Sequence, residues 1–410
     1  MTTELRTLRP EDWESWYGTI IRAFGGVPEE PEEEARWRRL IEFERALATV
    51  DGPDIVGTTA TFSFRLTVPG GAAVPAGGLS VVSVAATHRR QGVLTGMMRR
   101  QLDDVRAAGE PLAVLLASEP PIYGRFGYGM ATQQVKATID TARVRLAVPP
   151  EADGVRLRWA DPAESLQRCE ALYARLVPGR PGMIARASDE WARDRIADPP
   201  GDRKGASPLF CVLAERDGEL VGYARYSVTP QWDEAGPHGT VGLRDLDALD
   251  PGAGAALWRF LAGIDLTSQI ETGGRPVDDP WLHLVSDPRR CATRLKDQLY
   301  LRPVEVGAAL AARTYAAPVD VVLDVTDAFC PWNTGRWRLA GDGAGAVCER
   351  TGAPADLALT VRELGGAYLG GVRLSALAGA GRVRELRPGA LAAASAAFGS
   401  DLAPWVPHSF

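Results

Sequence analysis

Leu79-Ser80-Val81-Val82-Ser83-Val84-Ala85-Ala86-Thr87 runs directly into His88-Arg89-Arg90-Gln91-Gly92-Val93-Leu94. The β-branched apolar run predicts a buried strand over 79–86. An arginine pair and a glycine then open Thr95-Gly96-Met97-Met98-Arg99-Arg100-Gln101-Leu102, whose apolar spacing predicts a helix over 93–107. A strand, a tight glycine turn and a helix N-terminus make an anion site. The N–H groups of the first helical turn lack partners within the helix, and glycine lets the backbone approach a phosphate. An ordinary strand-to-helix turn with solvated arginines is the other reading of the same residues.

The chain of 410 residues is long enough for two or three domains. Its 45% hydrophobic and 24% charged residues are those of a globular protein. A net charge of −6 argues against nucleic acid as a partner and mildly favours cationic substrates. Lysine occurs only at Lys136, Lys204 and Lys296, so the abundant arginine, with much Ala and Gly, reads as a GC-rich genome rather than a basic surface. Cys169, Cys211, Cys291, Cys330 and Cys348 are scattered and odd in number, without CxxC or Cys/His spacing. Neither a disulfide framework nor a metal site is expected. The start of the chain lacks a signal peptide pattern, and no run of ~20 apolar residues could span a membrane. A cytoplasmic protein without membrane contact is expected.

Along the chain, helical spacing covers 4–22, with Asp12 near a start and Gly25-Gly26 as a stop. An acidic loop, 28–34, leads to a second helix at 35–44. Strands follow at 46–50, 55–66 and 79–86, then the helix 93–107 and a strand at 112–117. Helices, an antiparallel meander and a strand–helix–strand crossover make an α+β plan. A loop-like stretch at 148–154 marks a boundary. Beyond it the plan recurs, with helices at 161–176 and 189–195, strands at 208–214, 219–226 and 239–248, and a helix opening at 254. The fold is duplicated. The second copy carries Asp247 and Asp250 where the first carries Arg89 and Arg90, so it is expected to bind no phosphate ligand. A last unit begins near residue 301, with strands at 319–325, 335–339, 345–349 and 357–361 and helices at 361–368 and 389–398.

The strand 112–117 ends in Ser118-Glu119-Pro120-Pro121-Ile122-Tyr123-Gly124-Arg125-Phe126-Gly127-Tyr128-Gly129. If it lies parallel to the strand before the arginine turn, both carboxyl ends face the same ligand site. The order strand, Arg-Arg-x-Gly-Val, helix, strand, Tyr-Gly-Arg-Phe-Gly-Tyr resembles the GNAT superfamily of acyl-CoA N-acetyltransferases. More narrowly, it resembles the Eis-like (enhanced intracellular survival) aminoglycoside acetyltransferases of actinobacteria. The specific motifs are 81–94 and 118–129; elsewhere the match is one of order and length. Leu94 stands where the general GNAT pattern has Gly or Ala, a change that Eis-like members tolerate. The resemblance implies an α+β chain of two tandem GNAT-like acetyltransferase domains, at 1–150 and 151–300, the second without the cofactor motif. A sterol-carrier-protein-like α+β domain would follow at 301–410.

The resemblance also implies acetyl-CoA as co-substrate and no metal. Val82, Ser83 and Val84 would pair with the pantetheine arm. Arg89, Arg90, Gln91, Gly92, Val93, Leu94 and Thr95 would cradle the pyrophosphate. Ser118 and Glu119 would line the other side. Tyr123 looks like the proton donor to the departing thiolate; a core tyrosine is the alternative, and Tyr128 is the rival within the motif. The strand 79–87 carries no carboxylate or histidine to act as base. In Eis-like proteins the C-terminal carboxylate serves, which here is that of Phe410. The aromatic ending 405–410 is unlike an idle tail, and apolar surroundings would make its carboxylate a better base. Simple packing of Phe410 on its own domain is the alternative.

Phe24 and Trp37 lie where Eis-like proteins place pocket aromatics. Glu29, Glu30, Glu32, Glu33 and Glu34 run beside them, either as a lure for polycations or as a solvated face. The expected function is acetyl transfer to the amine of a small polycation, aminoglycoside-like, polyamine or lysine-type, by direct attack in a ternary complex. A non-catalytic CoA- or ligand-binding sensor or carrier is the other class considered. The resemblance implies a homo-oligomer, a hexamer built as a dimer of trimers.

Overall fold

Pro10 has no N–H to donate, so a helix cannot run through it from the start of the chain. The computed structural model, which describes residues 3–27, 30–186 and 188–410, shows the outcome. Residues 4–7, expected to be helical, form the strand β1 (Glu4–Thr7), antiparallel to β2 (Ala46–Asp51). Pro10 opens a 3₁₀ turn, Pro10–Asp12, and the helix α1 (Trp13–Ala23) follows. Gly25 and Gly26 end it at positive φ, 121° and 74°. The next helix, α2 (Pro31–Leu40), starts earlier than residue 35 and ends earlier than residue 44. Proline suits its first turn, and Glu32, Glu33 and Glu34 complement its dipole. Glu29 lies outside the described residues.

The chain continues through β3 (Asp54–Thr67), β4 (Ala73–Val84), α3 (Val93–Ala107), β5 (Leu112–Leu116) and β6 (Gly129–Met130). β4 begins ahead of residue 79 because Gly70 and Gly71, both at positive φ, already turn the chain back along β3. The sheet order is β1, β2, β3, β4, β5, then the strand Leu299–Pro303, then β6. Every pair is antiparallel except β4 with β5, which run parallel from Ala76↔Leu112 to Leu79↔Leu115. α3 is the crossover that a parallel pair requires. Its Met98, Leu102 and Val105 pack with Leu79, Ala113 and Leu115 in one apolar core.

Met1–Thr132, Arg180–Ala185 and Gln298–Phe410 form one compact unit, and Gln133–Gly179 with Arg186–Asp297 form another. The loop-like stretch 148–154 therefore lies inside the second unit, and residues 299–303 belong to the first unit's sheet. The first unit also holds a five-stranded sheet in the order Ala346–Arg350, Gly335–Gly341, Val319–Thr326, Leu357–Thr360, Val383–Glu385. The helices Val306–Ala311 and Leu374–Gly379 were not anticipated; Val361–Ala367 and Ala390–Phe398 were.

Two backbones meet where Val361–Ala367 docks on the first sheet. A Cβ at Gly129 would fall 2.0 Å from the Arg362 carbonyl oxygen, and one at Gly365 would fall 2.2 Å from that of Leu301. Beside this contact Arg302, on the strand Leu299–Pro303, is fully buried. Its guanidinium donates to the Phe126 carbonyl and to the Asp327 carboxylate. Asp327 also accepts from the Cys330 N–H at 2.9 Å and from the Asn333 amide at 3.0 Å. A Cβ on Gly127 would lie 1.9 Å from the guanidinium, so only glycine leaves it room.

The second unit repeats the plan of the first, with a six-stranded sheet ordered Thr138–Asp140, Thr267–Thr272, Gly239–Ala248, Glu219–Thr229, Phe210–Arg216, Arg156–Ala160. Gly239–Ala248 pairs parallel with Thr267–Thr272 across the helix Pro251–Ala262, as β4 pairs with β5 across α3. The two acids expected at this turn have local partners. Asp250 caps the helix, accepting from the Ala253 N–H at 2.9 Å, and pairs with Arg216 at 2.7 Å. Asp247 accepts from the Tyr223 hydroxyl at 2.6 Å.

Removing one partner of a buried ion pair leaves a charge without compensation. Asp327→Ala should lower the stability of the first unit by about 3–5 kcal/mol, read by urea unfolding followed by tryptophan fluorescence. A loss below about 1 kcal/mol would mean that other groups satisfy Arg302.

Candidate active site

β4 and β5 stay paired only as far as Leu79↔Leu115, and a bulge then turns β4 away. The register with β3 jumps from Ala60↔Ser80 to Thr58↔Ser83, so Val81 and Val82 together oppose Thr59. Val81 sits at φ 47°, a left-handed conformation that a β-branched residue adopts only when held there. Thr58 provides the hold. Its hydroxyl donates to the Val81 carbonyl at 2.8 Å and lies 2.7 Å from the Ser83 hydroxyl, which is left to act as donor to it. Between the parted strands, residues 79–84 and Leu116 line a cavity of about 820 Å³.

Past β4 the chain enters the arginine turn. Arg90 (φ 62°) and Gly92 (φ 87°) are both left-handed, the kind of curl that can form an anion-binding nest of backbone N–H groups. Gly92 is the N-cap of α3 and carries no side chain to satisfy the helix start. Space around a Cβ there is open, so glycine is required by the backbone angle and not by packing. His88 anchors the turn, its ring 3.1 Å from Asp51 and 2.8 Å from the Thr87 hydroxyl. Arg89, Arg90, Gly92, Val93, Leu94 and Thr95 line the cavity. Gln91 does not; its amide turns back to the Thr87 carbonyl at 3.0 Å. A helix start without a capping side chain and two arginines beside it suit a pyrophosphate.

The opposite wall comes from the end of β5 and the 3₁₀ turn Pro120–Phe126, with Ser118, Glu119 and Tyr123 on the cavity. Burial, reinforced by the Glu119 carboxylate, pushes the Tyr123 phenol up to about 12. Tyr123 therefore keeps its proton throughout the working pH range. Tyr128 is fully buried in the apolar core, its ring edge-on to Tyr123 with centroids 6.2 Å apart. It does not line the cavity.

Phe24, 58% exposed, and the half-buried Trp37 line the remaining side, joined by Trp13, Trp16 and Tyr17 of α1. Those three, with His88 and Arg125, were not singled out in the sequence. The helical spacing of 13, 17 and 24 was visible but indistinguishable from a core stripe. Phe410 reaches the same cavity from the far end of the chain. Its ring meets that of Phe64 edge-on, centroids 4.8 Å apart. The tail leading to it is pinned by backbone and side chain. The Trp405 N–H donates to the Pro181 carbonyl at 2.9 Å, and the Gln298 amide both donates to and accepts from the Val406 backbone. Segment 182–185 in turn pairs with β3 through Gly182, Met183 and Ala185. Among the described residues no cluster of His, Cys, Asp and Glu could hold a metal ion, and no helix is long and apolar enough to cross a membrane.

Family models place three domains on the chain. An acetyltransferase (GNAT) domain matches residues 4–131, a second matches 182–303, and a sterol carrier protein domain matches 306–407. The chain is 64% identical to an uncharacterized N-acetyltransferase of Streptomyces avermitilis, with both chains covered in full. It is 35% identical to the N-acetyltransferase Eis of Mycobacterium tuberculosis, with 98% of each chain covered. The crystal structure of Eis1 from Mycobacterium abscessus covers both chains entirely at a TM-score of 0.84 and 34% identity. A GCN5-related N-acetyltransferase from Anabaena variabilis, 18% identical, shares the fold at a TM-score of 0.85.

Thr58→Val removes the hydroxyl that holds the bulge and leaves the Val81 carbonyl short of a donor. The expected cost is about 1–3 kcal/mol in thermal or urea unfolding. A variant as stable as the parent would show that the bulge holds itself.

Proposed function

The chain belongs to the Eis-type N-acetyltransferases of the GNAT superfamily, and from that premise we propose that it transfers the acetyl group of acetyl-CoA to the amine of a small molecule within one ternary complex. The observation that carries this reading is a single cavity. Tyr123 and Phe410, from distant parts of the chain, line it together with the parted strand β4 and the uncapped start of α3.

The co-substrate supplies an acyl thioester, whose carbonyl carbon the amine nitrogen attacks. Arg89, Arg90 and the N–H groups of 92–95 hold its pyrophosphate, and the backbone of 82–84 takes the pantetheine arm. Ser118 and Glu119 bound the other side. The Phe410 carboxylate accepts the proton that the nitrogen sheds. The Tyr123 hydroxyl gives its proton to the leaving sulfur, so one proton is taken up and one released. With the phenol raised to about 12, this donation is uphill until charge has built on the sulfur, which confines it to the transition state.

The finer expectation of a polycationic acceptor drew on the acidic run. Glu33 pairs with Arg36 and Glu34 accepts from the Trp13 indole, so these two carboxylates of the run have partners within the chain. Family membership also supports a homo-oligomer, the hexamer of two trimers that the resemblance implies.

Tyr123→Phe should lower kcat by about 10²-fold or more while CoA affinity, by calorimetry, changes little. In the parent, kcat should show no alkaline fall from this phenol below about pH 11, since its proton is held up to that range. A fall near about pH 9 that persists in Tyr123→Phe belongs to another group, and one that Tyr123→Phe abolishes would show that burial does not hold the phenol's proton to this range. Appending Gly-Ser-Gly after Phe410 moves the terminal carboxylate and should lower kcat/KM by about 10²-fold. Normal thiol release by the extended protein would remove Phe410 from the mechanism.

A further inference from the structure

In both copies of the duplicated plan, a two-residue hairpin turn joins the strands ahead of the crossover. In the first copy Gly52-Pro53 joins β2 to β3, and Asp51 faces Asp54 across the turn. In the second Asp217-Gly218 joins Phe210–Arg216 to Glu219–Thr229, and Arg216 faces Glu219. Asp51 and Arg216 are therefore equivalent positions, each the last residue before its hairpin turn.

Both residues reach the turn that opens the crossover helix and make an ion pair there. Arg216 takes Asp250 at 2.7 Å. Asp51 takes His88, whose Nε2 lies 3.1 Å from the carboxylate. A carboxylate only accepts, so Nε2 carries the proton of this bond. The brace recurs with its polarity reversed. In the second copy the acid sits at the helix start, as the N-cap that accepts from the Ala253 N–H. In the first the acid stays on the hairpin: Asp51 does not line the cavity, and His88 does. The reversal ties the turn down without putting a carboxylate at the N-terminus of α3, where it would repel an anion.

The first turn needs such a tie. Arg90 is left-handed, a conformation that costs energy for a residue with a Cβ, and Gly92 is left-handed two residues on. The bonds within the turn are local. The His88 N–H donates to the Ala85 carbonyl at 2.8 Å, and the Gln91 amide to the Thr87 carbonyl at 3.0 Å. These shape the turn but do not place it. It is joined to the sheet by the Ala85 N–H, which donates to the Val56 carbonyl at 2.8 Å, and, closer to Arg90, by the pair of His88 with Asp51.

We propose that His88 is a positioning residue for the cofactor. Held by Asp51, it fixes the turn 89–92 in the form that receives a pyrophosphate, and so sets the affinity for CoA without acting on acetyl transfer itself. This rests on the acetyl-CoA reading above.

Calorimetric titration of the full-length protein with CoA, beside steady-state thiol release, tests it. His88→Ala should raise both the CoA dissociation constant and the KM for acetyl-CoA about tenfold. Its kcat at saturating acetyl-CoA should stay within about twofold of the parent. Asp51→Ala, made at the hairpin end, should weaken CoA binding about fivefold and keeps the test alive if His88→Ala does not fold. Both changes break one bond, so the double variant should bind CoA about as weakly as His88→Ala alone, not about fiftyfold more weakly than the parent. His88→Gln, whose amide can still donate to Asp51, should return affinity to within about threefold of the parent. Parental CoA affinity in both single alanine variants, or losses that add in the double variant, would overturn the proposal. A fall in kcat with CoA affinity kept would overturn it too, because His88 would then act on the chemistry. Should CoA bind while no amine releases thiol, acetyl transfer falls and the calorimetric cycle still decides the brace; a parent that does not bind CoA sinks both.

Discussion

Arg302 carries a charge that water does not reach, and the shape of the cavity depends on how that charge is satisfied. Its partners come from two directions: the Phe126 carbonyl, which ends the turn bearing Tyr123, and Asp327, which follows the strand Val319–Thr326. A buried ion pair contributes little net stability compared with apolar packing, but it tolerates very few geometries. The placement of Tyr123 is thus tied to the sterol-carrier-like domain through one guanidinium. A rotation of the turn 120–126 would strip Arg302 of its hydrogen bond to the Phe126 carbonyl.

The same domain brings Phe410 to the cavity by close backbone contact. A Cβ on Gly182 would lie 2.9 Å from the Trp405 backbone, so the tail runs flush against the segment 180–182. Gly78 plays the matching part inside β4. A Cβ there would meet the Phe64 ring at 2.2 Å, and that ring is what Phe410 packs against. Glycine in a strand interior weakens the strand, and here it lets an aromatic ring cross the sheet face at the foot of the bulge. The terminal residue is placed by packing of its ring.

Local signals were legible and long-range ones were not. The helix α3 begins and ends where its apolar period and Gly92 put it, because both signals lie within the segment. β1 was missed because four residues hold no usable period, and Pro10 was passed over as the barrier it is. The strand Leu299–Pro303 is apolar enough to see, but its partners at 112–116 are distant in sequence, and no pattern within the strand names them. The kink at Val81 runs against local preference: a valine should not be left-handed, and only the hydroxyl of Thr58, on another strand, explains it. Conversely, the arginine turn and Tyr123 could be named because their motifs are contiguous in sequence, whereas the pocket aromatics Phe24 and Trp37 came only with the resemblance. Phe410 was reachable only through the resemblance, since nothing in residues 405–410 says where they dock.

The duplicated plan shows how little separates a ligand site from an ordinary helix start. Both α3 and the helix Pro251–Ala262 follow a strand and carry the positive end of a helix dipole. In the second copy Asp250 supplies the anion from within, bonding the Ala253 N–H, and Arg216 neutralises what remains. In the first copy the same place is Gly92, which has nothing to supply. Glycine at an N-cap costs only a few tenths of a kcal/mol relative to the best capping residues, so the open helix start is inexpensive to maintain. An anion placed there would meet a helix start that no side chain caps, with Arg89 and Arg90 on the same cavity. A glycine where the second copy has a capping aspartate thus leaves the helix start of the first copy without a cap from its own chain.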